Sequence, residues 1–171
     1  EKSLPDYDSA ESVKLKLQLQ VEKIYQHYNP KKLIYKDIID KLVDKYANGN
    51  EMELLNAMTH IAERNKLGIP HYQYHGYIPA EAETESVSKT LEYAYDDWCI
   101  AMMADSLNHA SANRFYERAQ FYQNLYDPNT GFMRAKMNNN WHGPFRPEEV
   151  NYNYTEANSW QYSLFVPQDI E

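Results

Sequence analysis

The sequence predicts an all-α fold assembled from helical hairpins, on three observations. Apolar residues recur three and four positions apart over long stretches, the period of a helix with one buried face. Only five glycines are present, and they sit at the ends of those stretches rather than inside them. The apolar runs also come in neighbouring pairs along the chain, as in a toroid of helical hairpins or a piece of one. At 171 residues the chain is long enough for one domain with a real core, so residues 1–171 are read as a single all-α domain.

The first run carries two periods. Val13, Leu15, Leu17, Leu19 and Val21 alternate with Lys and Gln as in a half-buried strand, while Val13, Leu17, Val21, Ile24 and Tyr28 share one helical face. Its Leu, Lys, Gln and Glu content favours the helix. Leu33, Ile34, Ile38, Leu42, Val43 and Tyr46 form the next stripe, ended by Asn48-Gly49. Leu54, Leu55, Met58, Ile61 and Ala62 form another, closed by Gly68 and Pro70.

Residues 71–80, rich in Tyr and His and carrying Gly76 and Pro79, are expected to be a loop. The longest helix is expected over 85–107, with Val87, Leu91, Ala94, Tyr95, Trp98 and Met102 on one face. Cys99, Ile100 and Met103 fill its other side, which predicts a second half buried all round. A partner helix is expected over 108–125, with Ala112, Phe115, Tyr116, Ala119 and Tyr122 facing inward. Asp127-Pro128-Asn129-Thr130-Gly131 reads as a turn, Pro setting φ and Gly supplying freedom. An irregular insert follows over 131–150, with a short hairpin near 138–140, and a last helix is expected from about Thr155 until Pro167 stops it.

A net charge of -8 excludes the clustered cationic surface a nucleic-acid partner requires. No apolar stretch is long enough to cross a bilayer, and the chain opens without a basic and apolar leader. The lone Cys99 excludes an internal disulfide framework and reads as core. His71, His75, His109 and His142 lack the spacing of metal ligands. Sixteen tyrosines and three tryptophans beside many Asn, Gln and Glu side chains point to a surface that stacks on polar rings such as sugars.

Glu156 is the leading candidate for chemistry. In the expected last helix it lies in the first turn, with Ser159, Trp160 and Ser163 on its side. A glycosidase acid must keep its proton near neutral pH, and an aromatic wall such as Trp160 would exclude water and raise its pKa. The opposite reading is that Glu156 complements the helix dipole. Asp96 and Asp97 stand about 100° apart on a helix, which keeps the two from converging on one bond.

Four strings carry a resemblance. Gly76-Tyr77-Ile78-Pro79 is followed by the run from Glu85 to Trp98, which closes on Glu92-Tyr93-Ala94-Tyr95-Asp96-Asp97-Trp98. Then come Asp127 to Arg134, and Tyr154-Thr155-Glu156-Ala157-Asn158-Ser159-Trp160-Gln161-Tyr162 with Phe165-Val166-Pro167. Over residues 51–170 the chain resembles the α-mannosidases of glycoside hydrolase family 92; residues 1–45 match poorly.

The resemblance implies part of an (α/α)6 catalytic barrel and a calcium-dependent enzyme that releases terminal α-mannose from N-glycans or mannan with inversion. It makes Glu156 the general acid. Trp98, Tyr154, Asn158 and Gln161 become candidates for sugar contacts or for support of the acid. The general base and most calcium ligands belong to later strings of the family, so the metal ligands in this chain are unknown. The chain by itself is expected to be inactive and, as part of a ring, to self-associate. Leu164 and Gln168 depart from the Trp and His usual in the last string. The resemblance also implies a secreted or periplasmic protein. The alternative is a non-catalytic helical module, sugar-binding or structural, derived from such an enzyme.

Overall fold

A computed structural model of the protein describes residues 50–170. The helices expected over Val13–Tyr28 and Leu33–Tyr46 lie outside the described residues. A unit boundary falls between Ala57 and Met58, within the first described helix, and the packing and the site lie in the unit that begins at Met58.

Helix α1 spans Glu51–Ala62, with Glu51 and Glu53 in its first turn and His60 in its last, the polarity the helix dipole favours. A second helix, α2, spans Ile69–His75 and replaces the loop expected there. Its Gly and Pro read as breakers but sit where a helix begins and ends. Pro70 occupies the first turn, where no amide is needed, and Gly68 and Gly76 flank the helix at φ of 77° and 74°. Gly76 closes it by donating to the Tyr72 carbonyl at 2.9 Å.

Helix α3 spans Ser86–Ser106, close to the expected 85–107. Val87, Leu91, Ala94, Asp97, Ala101 and Ala104 follow one another three and four apart down its buried face. The second half is not buried all round: Asp96 and Asp105 are exposed, and Met102 is 44% exposed. These residues keep one face of α3 open to water, with Tyr116 Oη donating to Met102 Sδ at 3.4 Å. Helix α4, Ala112–Ala119, lies against α3, buries Phe115 and Arg118, and ends short of the expected Leu125. The chain tightens there into a 3-10 turn, Phe121–Leu125, which still buries Tyr122 and Leu125.

Two small hairpins follow. Strands β1 (Tyr126–Asp127) and β2 (Phe132–Met133) pair antiparallel across the expected Pro-Gly turn, where the Gly131 amide donates to the Asp127 carbonyl at 2.8 Å. Strands β3 (Lys136–Met137) and β4 (Asn140–Trp141) pair across Asn138 and Asn139, at φ of 50° and 61°. Two consecutive positive φ values match the right-handed twist of a two-residue hairpin, and Asn tolerates them best among side-chain residues. The last helix is a single turn, α5, Ser159–Tyr162, shorter than expected and starting after Glu156 rather than before it.

One apolar cluster joins these parts. Tyr77, Val87, Leu91, Ala94, Tyr122, Leu125, Met133, Ala135, Tyr154 and Ala157 are buried together. Tyr154 and Ala157 bracket Glu156, so the same core that holds α3 also holds the segment carrying that carboxylate.

Candidate functional site

Glu156 does not lie on a helix. It occupies a turn at φ 49°, in the left-handed region that side chains with a Cβ avoid, and its side chain is exposed. The relation to Trp160 expected from helical spacing therefore fails. Trp160 is 59% exposed and packs edge-on against Phe132 at 4.7 Å, making an aromatic corner at the surface. The reason is local: Asn158 adopts extended backbone and caps α5. Its Oδ1 accepts the Gln161 amide at 3.2 Å, while Gln161 Oε1 accepts the Asn158 amide at 3.1 Å. A reciprocal capping box starts the helix at Ser159 and leaves residues 154–157 to form their own turn.

That turn is anchored on both sides. Tyr154 Oη and Ser159 Oγ both donate to the Met133 carbonyl, at 2.8 and 2.7 Å. The Met133 amide donates to Ser163 Oγ at 2.8 Å, so the backbone of one β2 residue gathers three residues that flank Glu156. From α3, Ser88 Oγ accepts the Thr155 amide at 2.8 Å. The Asn153 carbonyl accepts the Val87 and Ser88 amides at 3.0 and 3.4 Å, supplying the N-terminal cap that α3 takes from no side chain of its own.

Of the sugar-contact candidates, Tyr154 is buried and committed to Met133, and Asn158 and Gln161 are committed to the capping box. These three support the turn. Trp98 is half-buried on α3 and stacks on Tyr95 at 5.9 Å.

Asp96 and Asp97 diverge as adjacent helical residues must. Asp97 is buried, with Arg118 Nε donating to its Oδ2 at 2.8 Å and Tyr72 Oη at 2.9 Å. Burial pushes its carboxyl up to about 6, against the pull of Arg118 and of the hydrogen bonds from Tyr72 and Arg118. Asp96 keeps surface open to water at the edge of a hollow. Crowding there pushes its carboxyl up to about 7, helped by the charges of Asp97 and Glu92. Both line a cavity of about 210 Å³ with Met58, Ile61, Ile69, Tyr93, Cys99 and Arg118. No residue of the Glu156 turn lines it, so it is not that carboxylate's pocket. Burial raises the Cys99 thiol to about 11, which suits packing and not nucleophilic attack.

Three comparisons with known proteins bear on this site. The sequence profile of the glycosyl hydrolase family 92 catalytic domain matches residues 26–171. The chain belongs to glycoside hydrolase family 92. Its fold is similar to that of a family 92 alpha-mannosidase of Bacteroides thetaiotaomicron, with a TM-score of 0.69 and 41% identity over 73% of this chain. The likeness extends to that enzyme in complex with mannoimidazole, at a TM-score of 0.67 and 39% identity over 70% of this chain. A family 92 inverting mannosidase of the same organism gives 0.62 and 37%, again over 70%. An uncharacterised secreted glycosidase of Arthroderma benhamiae is 25% identical over 60% of this chain. The family 92 chain spans only 17–18% of the length of these relatives.

Membership in the family raises calcium. Among the described residues no three His, Cys, Asp or Glu side chains converge to hold a metal ion. His71 and His75 stack on each other on α2, His109 Nδ1 pairs with Ser111 Oγ, and the His142 carbonyl accepts Arg134. These residues do not by themselves fit the cation, which takes oxygen ligands.

The family 92 chain also uses residues that sequence reading gave no role. Ser88 and the Met133 backbone fix the Glu156 turn, the latter through Ser159 and Ser163, and Arg118 pairs with Asp97. Ser88 lies inside the matched Glu85 to Trp98 string, but a small polar residue one turn into a helix carries no signal of what it faces.

Proposed function

We propose that this chain is part of the catalytic domain of an exo-acting α-mannosidase that releases terminal α-mannose from N-glycans or mannan with inversion, with Glu156 as general acid. The observation that supports it is the mount of Glu156. An exposed carboxylate stands on a left-handed turn whose flanking residues are each tied to α3 or β2. A general acid requires such a mount, because it must reach the leaving oxygen at hydrogen-bond distance in one orientation.

Trp160 does not wall this carboxylate on a helix, because α5 starts only at Ser159. An inverting enzyme sets its second carboxylate about 6.5–9.5 Å from the first, with a water between. That base is proposed to come from a later string of the family, and calcium from ligands outside the described residues. The 171 residues alone are then proposed to release no mannose. Trp98, half-buried beside Tyr95, and the exposed Trp160 are the aromatic surfaces proposed to meet sugar rings. A secreted or periplasmic location is proposed on the name of the fungal relative; no described helix is long and apolar enough to cross a membrane.

The test is Glu156→Gln in the full-length protein. Loss of general acid catalysis predicts a fall of about 10²–10⁴-fold in turnover of a mannobioside, whose leaving group needs the proton. A mannosyl fluoride, whose leaving group needs none, is expected to be largely spared. The anomer first formed is read by NMR, and a calcium chelator is expected to abolish turnover of both substrates. Full mannobioside turnover by the Gln variant would remove Glu156 from the mechanism, and mannose release by the isolated chain would overturn its proposed inactivity.

A further inference from the structure

We propose that Ser88 is the positioning residue of Glu156, acting through the hydrogen bond that its Oγ accepts from the Thr155 amide. The proposal rests on the reading of Glu156 as the acid and deepens it.

The Thr155 amide immediately precedes Glu156 and donates to Ser88 Oγ at 2.8 Å, and Ser88 is fully buried. An amide can only donate, so the Ser88 oxygen accepts there. In a buried place no water stands ready to replace that acceptor, so removing the hydroxyl leaves the Thr155 amide without its partner.

The contrast with Thr90 on the same helix is informative. Thr90 Oγ1 makes the local back-bond, donating to the Ser86 carbonyl at 2.7 Å. Ser88, two residues earlier, takes a partner 67 positions away in sequence. Its place in α3 is set by Asn153, whose carbonyl receives the Val87 and Ser88 amides. Helix and turn therefore hold each other across two adjacent peptides on the near side of Glu156. The positive φ of Glu156 makes this necessary: a residue in a disfavoured conformation stays there only when its neighbours over-determine it.

The experiment uses Ser88→Ala and Ser88→Thr in the full-length protein, with Glu156→Gln alongside. Turnover is measured on a mannobioside and on mannosyl fluoride. A displaced acid predicts a kcat on the mannobioside reduced about tenfold or more for Ser88→Ala, with KM nearly unchanged and the fluoride largely spared. Ser88→Thr keeps the hydroxyl and is expected to restore most of the kcat. Equal loss on both substrates in Ser88→Ala would mean a structural role only, and unchanged kcat would mean none; either overturns the proposal. If Glu156→Gln keeps full mannobioside turnover, or if the full-length protein releases no mannose, the acid reading itself falls. Loss in Glu156→Gln without loss in Ser88→Ala overturns the positioning role alone.

Discussion

Asp97 and Arg118 show what a single pair of residues decides. Taking two charges out of water costs several kcal/mol each, and their attraction offsets this only with good geometry and further hydrogen bonds. Here the carboxylate receives Arg118 Nε and Tyr72 Oη, and Arg118 Nη2 also donates to the Ala62 carbonyl at 3.2 Å. Arg118→Met keeps much of the volume but leaves Asp97 buried and unpaired. The expected loss is about 3–5 kcal/mol, read as a lower urea midpoint with an unchanged slope. The loss should also depend on pH. A carboxyl whose folded pKa stands above its unfolded 3.8 binds more protons when folded. Its stabilisation is therefore full below 3.8 and lost as pH rises through about 6. Without Arg118 the folded value climbs further, so the variant is expected to recover stability on acidification from pH 8 to pH 5. A loss equal at both pH values would contradict this account of the pair.

Among the elements, the capping box of α5 has the largest consequence for its length. Four residues are too few to hold a helix through their own hydrogen bonds, since nucleation is unfavourable in so short a segment. What starts α5 is Asn158, which satisfies the Gln161 amide and is itself satisfied by the Gln161 side chain, while its Nδ2 donates to the Glu148 carbonyl at 3.2 Å. Asn158→Ala removes both side-chain bonds. It is expected to cost about 1 kcal/mol in chemical denaturation, and Asn158→Asp, which still accepts at the cap, is expected to cost less. If Ala and Asp variants are equally stable, the cap is not what ends the Glu156 turn.

At the scale of the molecule, the family 92 chain presents apolar surface that a monomer seldom shows in one segment. Val150, Tyr152, Trp160, Leu164 and Ile170 are all exposed within 21 residues of sequence, Tyr152 at 88% and Leu164 at 86%. Exposed apolar groups so concentrated mark a surface that meets something else. The isolated chain is expected to self-associate, with a sedimentation coefficient that rises with concentration over the micromolar range. A concentration-independent monomer would show that these residues are tolerated in water. The matched part of this chain spans only 18% of the relatives of known structure, which is in keeping with a surface that other segments of such an enzyme cover.

The sequence by itself determined the elements whose signal is local. The period of α3, the turn at Asp127 to Gly131 and the Asn pair of the second hairpin are each set by residues within a few positions of one another, and each appears where expected. The strings around Glu92 to Trp98 and Tyr154 to Tyr162 also sufficed to point to the family. Tertiary structure decided the rest, because it depends on partners distant in sequence. α2 forms although Gly and Pro flank it, since fully buried Tyr72 bonds to Asp97 and to the Arg118 carbonyl 25 and 46 positions away. Glu156 leaves the helix its spacing suggested because Ser88 and Met133 claim the peptides and side chains beside it, while Asn158 starts α5 two residues later. A helical period says which residues share a face. It cannot say which distant hydroxyl or carbonyl will compete for the backbone, and at Glu156 that competition sets the conformation.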